Sequence, residues 1–253
     1  GIGMTYALSD STNAFGGVYK GISTPSPRGF LKSGTRIEES IGYELGVRTQ
    51  KDGASTEIAA FLSDYDELTG SNAGLGGLAF DDMLDGTNAG EAEVKGIEFL
   101  QSYTANADSS VAIPMFVSAT YTDATLTAPL SAGGEGDILA ADEPGATIPY
   151  VPEWKFSVGA GLSAENWGLS AIGSYRSDMY ASAKNLEVSN GREGKIDGGF
   201  ILDLSAHYKL SDTTRLIGGV HNVLDEVLTV SRLPDGPRAN APREFYIGFE
   251  LQW

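Results

Sequence analysis

The C-terminal segment, residues 242–253, constrains the fold more than any other part of this sequence. Its side chains alternate with a period of two, and one face carries Phe245, Ile247, Phe249, Leu251 and Trp253. In a soluble fold such a strand would be an exposed apolar edge, which natural sheets avoid because it aggregates. In a closed membrane barrel the same face meets lipid and no edge remains. The segment therefore predicts the last wall strand of an antiparallel transmembrane β-barrel.

The same alternation recurs upstream, and eleven segments are predicted to form strands. The clearest are residues 41–47, 154–162, 167–175 and 202–210. Residues 215–230 are expected to continue as one strand. In residues 94–103, Ile97 shares a face with Lys95, which predicts a bulge near Gly96.

Connection lengths strengthen the barrel interpretation. Tight turns at residues 10–13, 51–54, around Asp108, 165–166 and 212–214 alternate with long Gly/Asp/Pro-rich segments. Outer-membrane barrels have this asymmetry, with short periplasmic turns and long outer loops. Aromatic residues cluster at strand ends, which is typical of interfacial girdles. A soluble β-sandwich also alternates, but seldom keeps eleven strands with strictly alternating loop lengths.

Composition excludes other classes of protein. The chain has 253 residues, no cysteine and a formal net charge of −17. This acidic balance argues against nucleic-acid binding, which requires Lys and Arg. No apolar run is long enough for a helical membrane span. The first residues, GIGM, lack a signal peptide's basic and apolar regions, so an exported protein would be a mature or truncated form.

Seven short segments, taken in order, resemble one known family. They are FGGVYKGISTPSP (15–27), SIGYELGV (40–47), EVKGIE (93–98), YTDA (121–124), PYVP (149–152), GVHNVLDE (219–226) and APREFYIGF (241–249). The series resembles the C-terminal half of TonB-dependent outer-membrane receptors, most closely those for ferric citrate and other siderophores. It departs from the family's pattern at Val227 and Leu228, where an aromatic residue is usual.

The resemblance implies that residues 1–253 are the C-terminal part of a plugged barrel of about 22 strands. Eleven strands is an odd number, whereas bacterial single-chain barrels have even numbers. The implied function is active import of an iron chelate or similar scarce nutrient across the outer membrane of a Gram-negative bacterium, with no catalysis, cofactor or resident metal. The implied partners are the missing barrel half and plug, on the same or a separate chain, the TonB complex, the barrel-assembly machinery, lipid and lipopolysaccharide. A passive porin or an autotransporter translocator is the alternative.

Two groups of residues are predicted to have specific roles. Arg176, Tyr180, Lys184 and Asn185 fall at an outer strand end and loop, where Arg and Lys could bind the carboxylates of a chelated substrate. The apolar face of the last strand, from Phe245 to Trp253, is expected to serve as the signal for barrel assembly.

Other polar clusters predict no catalytic or metal site. His207 is expected beside Asp203, but no nucleophile signature accompanies the pair. The acidic runs at residues 64–67 and 81–85 lack the ligand spacing of a calcium loop. Arg243, in the last hairpin, is a candidate for a buried ion pair in the lumen that anchors the plug.

Overall fold

The chain forms one large antiparallel sheet with folded connections at one end. The computed structural model describes residues 1–24, 36–70, 87–88, 90–128, 138–139, 141, 143–189, 191–233 and 236–251. Within these ranges, no helix is long and apolar enough to cross a membrane.

Eleven strands form the sheet, which we call the wall. They are β1 (Ile2–Ser9), β2 (Thr12–Ser23), β3 (Glu38–Lys51), β4 (Ala54–Asp66), β7 (Ala92–Ala105), β8 (Val111–Leu126), β9 (Trp154–Ala164), β10 (Trp167–Arg176), β13 (Gly199–Ser211), β14 (Thr214–His221) and β17 (Glu244–Leu251). Three short ribbons lie in the long connections: β5 (Thr69–Gly70) with β6 (Thr87–Asn88), β11 (Met179–Tyr180) with β12 (Lys195–Ile196), and β15 (Thr229–Ser231) with β16 (Arg238–Ala239).

Each wall strand pairs with the next one along the chain, which confirms the predicted antiparallel barrel segment. The short turns all lie at one end of the wall, and the long connections lie at the other, which we call the outer end. Among the described residues, β1 and β17 each pair with one neighbour only, so the sheet is not closed. Trp253 lies outside the described residues.

The register of the pairings gives the wall one apolar and one polar face. Opposite residues share a face, so the apolar face of β17 continues through Leu216 of β14 into Tyr208 of β13. From β9 onward, the described strands place no Asp, Glu, Lys, Arg or His on this face. Phe245 and Ile247 are 76% and 78% exposed, whereas the intervening Tyr246 is 39% exposed. The apolar face is therefore the one suited to lipid, and the polar face lines the lumen.

Aromatic side chains mark the height of the apolar belt. Near the outer end, Tyr121, Trp154, Phe156 and Tyr175 form a continuous row, with ring centroids 4.9–6.0 Å apart. Trp167 lies eight residues before Tyr175 on β10, about 27 Å along the strand. A strand tilt of about 40° reduces this to about 20 Å, near the height of the apolar band of outer-membrane barrels.

The lumenal face has a repeated contact between an aromatic ring and a glycine directly opposite it. A side chain at the glycine would meet the ring in every case, so the rings lie flat against the wall. The pairs are Phe15–Gly46, Tyr19–Gly42, Phe61–Gly96, Phe116–Gly159, His207–Gly168 and Tyr246–Gly219. Rings over glycines cover exposed backbone and help to fix register.

Two local predictions were wrong. β7 pairs with β4 and β8 in unbroken register, so there is no bulge at Gly96. Instead, Lys95 lies toward the outer end of the apolar face, where it pairs with Glu93. The strand predicted to span residues 215–230 stops at His221, because Asn222 has a φ of +50° and turns the chain away.

Gly96 gives a test of the ring–glycine contact. A Cβ at this position would overlap the Tyr121 carbonyl oxygen and the Phe61 ring, whereas at Gly248 the nearest atom would be 3.6 Å away. We expect Gly96→Ala to lower the free energy of unfolding by about 1–3 kcal/mol, because overpacking costs energy in this range. Denaturant unfolding of the protein in lipid vesicles measures it, with Gly248→Ala as the matched control. Equal effects of the two substitutions would contradict the packing explanation.

Candidate functional site

Two long connections fold back over the lumenal face at the outer end and form a loop pad, defined as the described parts of residues 138–150 and 177–198. Ala183 of the pad packs on Ala92 and Leu126, which lie on the lumenal faces of β7 and β8. Leu126 is fully buried. Further apolar contacts come from Tyr65, Leu68, Leu139, Ala141, Ala146 and Ile148.

Hydrogen bonds hold the two connections of the pad to each other. Asn185 accepts a bond from the Thr147 amide through Oδ1, at 2.7 Å, and donates one to the Thr147 carbonyl through Nδ2, at 3.2 Å. The Tyr150 amide donates to the Tyr180 carbonyl at 2.8 Å. The pad is therefore a folded unit within the structure, although its two segments are distant in sequence.

Ion pairs compensate most charges on the pad. Lys195 contacts the carboxylates of Asp178 and Glu187, and Lys184 contacts Glu193. The bond from Lys195 lowers the pKa of Asp178 below its ordinary value. The Tyr180 hydroxyl, which donates to Glu187 at 2.6 Å, and then Lys195 lower the pKa of Glu187. These carboxylates stay ionised at neutral pH.

Three cations beside the pad have no carboxylate partner among the described residues. Arg176 donates to the carbonyls of Thr229, at 2.6 Å, and Ser177. Arg232 donates to the carbonyls of Gly191 and Lys195, and its Nε is buried without a described partner. Lys155, directly opposite Arg176, is exposed. A carbonyl is a neutral acceptor, so these groups keep their net positive charge and can bind an anion. We call Lys155, Arg176 and Arg232 the cationic site.

The residues predicted to bind substrate differ in what they contact. Arg176 belongs to the cationic site, whereas Tyr180, Lys184 and Asn185 are engaged in contacts that hold the pad together. Lys155 and Arg232 were not among the binding residues predicted from the sequence. The turn at Glu165 and Asn166 could have revealed Lys155, because it sets the hairpin register that places Lys155 opposite Arg176. Arg232 has no comparable local signal.

The remaining polar candidates do not converge. Nδ1 of His221, not His207, lies near Asp203, at 3.7 Å. Asp64 and Asp66 share one face of β4, opposite to that of Tyr65, and the carboxylate of Glu67 pairs with Arg36. No group of three or more metal-ligating side chains occurs in the part of the chain that the structure describes. Residues 81–85 lie outside it.

The pad is expected to loosen in acid. A carboxyl whose pKa is lowered by folding contributes stability above its ordinary pKa, here 3.8 for Asp178, and loses that contribution as pH falls through the lowered value. We therefore expect hydrogen exchange of residues 179–196, corrected for intrinsic rates, to rise below about pH 3.8. Lys195→Met should show faster exchange at neutral pH and a flatter dependence on pH. An identical pH profile in this variant would contradict the role of the Lys195 pairs.

Comparison with known proteins agrees with the geometry. The ferric citrate transporter FecA, in its unliganded form, superposes with a TM-score of 0.74 at 21% identity, over 98% of this chain and 37% of that one. The siderophore receptor PiuA from Acinetobacter baumannii gives a TM-score of 0.73 at 15% identity, over 98% and 35%. The copper transporter OprC gives 0.73 at 12%, over 98% and 38%. The chain thus spans less than two fifths of the length of these structures.

Curated protein sequences give no match. A family profile described as "TonB dependent receptor-like, beta-barrel" matches residues 1–223, which is most of the chain. Together with the eleven-stranded antiparallel wall, this match shows that the chain belongs to the TonB-dependent receptor β-barrel family.

Proposed function

We propose that this chain is the C-terminal part of the wall of an outer-membrane receptor that imports an anionic iron chelate, such as ferric citrate or a ferric siderophore. The observation that carries the proposal is the cationic site. Lys155 and Arg176 face the lumen at the outer end, where a substrate enters from outside the cell.

The chemistry of the site favours an anionic ligand. A guanidinium presents several donors in one plane and binds carboxylate or catecholate oxygens through charge-assisted bonds. The pad lies on the same side of the wall and would cover part of a bound chelate. Tyr180, Lys184 and Asn185 would then act by positioning the pad, with direct contact left to Arg176.

Closure of the barrel requires further strands. β1 and β17 both run toward the short turns, so they cannot pair with each other in the antiparallel sense. An odd number of further strands satisfies both edges, and a total of about 22 fits this family. We place these strands and a lumenal plug on the missing part of the receptor, on the same or a separate chain, with energy supplied by TonB acting on the plug.

The lipid-facing belt supports a location in the outer membrane of a Gram-negative bacterium, in contact with lipid and lipopolysaccharide. Phe245, Ile247, Phe249, Leu251 and Trp253 are proposed as the signal for the barrel-assembly machinery. The folded yield of a Phe249→Ser variant measures this role, and an unchanged yield would contradict it.

Removing Lys155 and Arg176 from the cationic site should weaken the binding of anionic chelates. For the double variant Lys155→Ala/Arg176→Ala of the complete receptor, we expect the Kd for ⁵⁵Fe-labelled citrate or catecholate complexes to rise at least about tenfold, because charge-assisted bonds are lost. Equilibrium binding to purified receptor measures it. An uncharged ferric hydroxamate should lose much less affinity.

The matched control is Lys209→Ala/Arg215→Ala, which removes two lumenal cations near the short turns, at the opposite end of the wall. This double variant should bind each chelate as the wild type does. If the control weakens binding as much as the site variant, general charge loss explains the effect and the assignment fails.

A plugged receptor and a passive porin predict opposite conductances. We expect the complete receptor to be closed to ions in planar bilayers, and ⁵⁵Fe-citrate or ⁵⁵Fe-catecholate uptake by cells to stop when a protonophore collapses the energy supply. Stable open channels, with uptake insensitive to the protonophore, would instead support the porin.

A further inference from the structure

Two sequence motifs that the proposed transport function does not use meet at the outer end of the last hairpin. One is residues 219–226, which end β14 and begin the following loop, and the other is residues 241–249, which lead into β17. Asn222 of the first motif is 3% exposed, although polar side chains at a loop base are usually accessible. Its burial requires partners.

Asn222 uses both N–H groups and the oxygen of its side-chain amide. Nδ2 donates to the carbonyls of Glu226, at 2.9 Å, and Ala241, at 3.1 Å, while Oδ1 accepts from the Glu226 amide at 2.9 Å. Its own backbone amide donates to Oδ1 of Asp203, on β13, at 2.8 Å. One residue thus connects β13, the start of the last loop and the segment just before β17.

A second contact ties the same segments. Oδ1 of Asp225 accepts a bond from the Arg243 backbone amide at 3.0 Å, and Oδ2 lies 3.2 Å from Nη2 of the Arg243 side chain. These bonds lower the pKa of Asp225. Arg243 is the residue immediately before β17, which starts at Glu244.

The register of β17 has to be fixed by contacts such as these. A two-residue turn fixes the register of a hairpin, but residues 222–243 form a long connection that does not. A slip by one residue would turn Phe245 and Ile247 into the lumen, whereas a slip by two residues keeps every apolar side chain on the lipid face. The alternation of apolar and polar faces therefore excludes a slip by one residue but does not exclude a slip by two. Within the described chain β17 also has a neighbour on one side only.

We propose that Asn222, Asp225 and Arg243 form a register clamp that fixes the terminal strand on β14 and excludes pairings shifted by two residues. The clamp joins the base of a long loop, so the loop beyond it can vary without moving β17. The proposal depends on the last hairpin alone and holds for any substrate.

Cross-linking can measure the register directly, because this chain has no cysteine. Val220 and Phe245 are directly opposite each other, so a Val220→Cys/Phe245→Cys pair reports the native register. A Val220→Cys/Ile247→Cys pair reports the register shifted by two, since disulfides do not form between Cα atoms more than about 7 Å apart. The receptor background for both pairs has any other cysteines replaced by Ser.

With Asn222 unchanged, we expect only the Val220→Cys/Phe245→Cys pair, which reports the native register, to cross-link. Asn222→Gly keeps the positive φ and removes the amide, and should raise the shifted cross-link in the folded fraction about tenfold, because several hydrogen bonds are lost. Asn222→Asp, which keeps only the acceptor, should show an intermediate rise. Asn106→Gly, at another asparagine with positive φ, in the turn between β7 and β8, is the matched control and should show none.

Three outcomes would overturn the clamp: a shifted cross-link at wild-type level in folded Asn222→Gly, an equal rise in the control, or a folding failure that the native cross-link does not rescue. If Asn222→Gly fails to fold, recovery of folded protein by the Val220→Cys/Phe245→Cys disulfide supports the clamp, because the covalent bond replaces its constraint on register.

Discussion

The need to hydrogen-bond every backbone group in apolar surroundings governs this structure. Lipid offers no donor or acceptor, so each strand of the wall must satisfy its neighbours along its full length. The pairings run without a register shift across most of the sheet, and the shifts that occur on β1/β2 and β13/β14 lie beside the short turns. Because register persists from strand to strand, the face of each residue is fixed across the sheet. Arg176 is lumenal for the same reason that Phe249 is lipid-facing.

The sequence was sufficient to predict the wall, because its signals are local. A period of two, tight turns and aromatic strand ends each depend on residues close in the chain. The prediction of a bulge at Gly96 was wrong because a charged residue on the apolar face was interpreted as a break in the alternation of faces. Lys95 is tolerated there because it lies toward the outer end, next to Glu93 and opposite Asp123. The height of Lys95 along the wall determines whether a charge is tolerated on the apolar face, and the sequence of a single strand does not reveal this height.

The outer end was predicted less well because its contacts join distant parts of the chain. Asn185 and Thr147 are 38 residues apart, and Arg232 and Tyr150 are 82 apart. No periodicity links such positions. Lys155 lies between these two cases. The two-residue turn at residues 165–166 is a local signal, but it indicates Lys155 only once the residue opposite Arg176 is sought. The asparagine motif at Asn222 was visible as a resemblance, yet its role depends on carbonyls at Glu226 and Ala241 that only the folded loop brings together.

Net charge is a poor guide to the sign of a binding site in a protein of this kind. The chain carries a formal charge of −17, which would repel an anion at long range in low salt. At physiological ionic strength such fields decay over about 8 Å, so groups in contact with the ligand dominate. Lys195 contacts both Asp178 and Glu187, and Lys184 contacts Glu193, so two lysines compensate most of the negative charge of these three carboxylates. Arg176 and Arg232 donate to carbonyls, and no described carboxylate compensates their positive charge. The choice of acceptor, carboxylate or carbonyl, sets the local sign, and an acidic protein can therefore carry a locally cationic site.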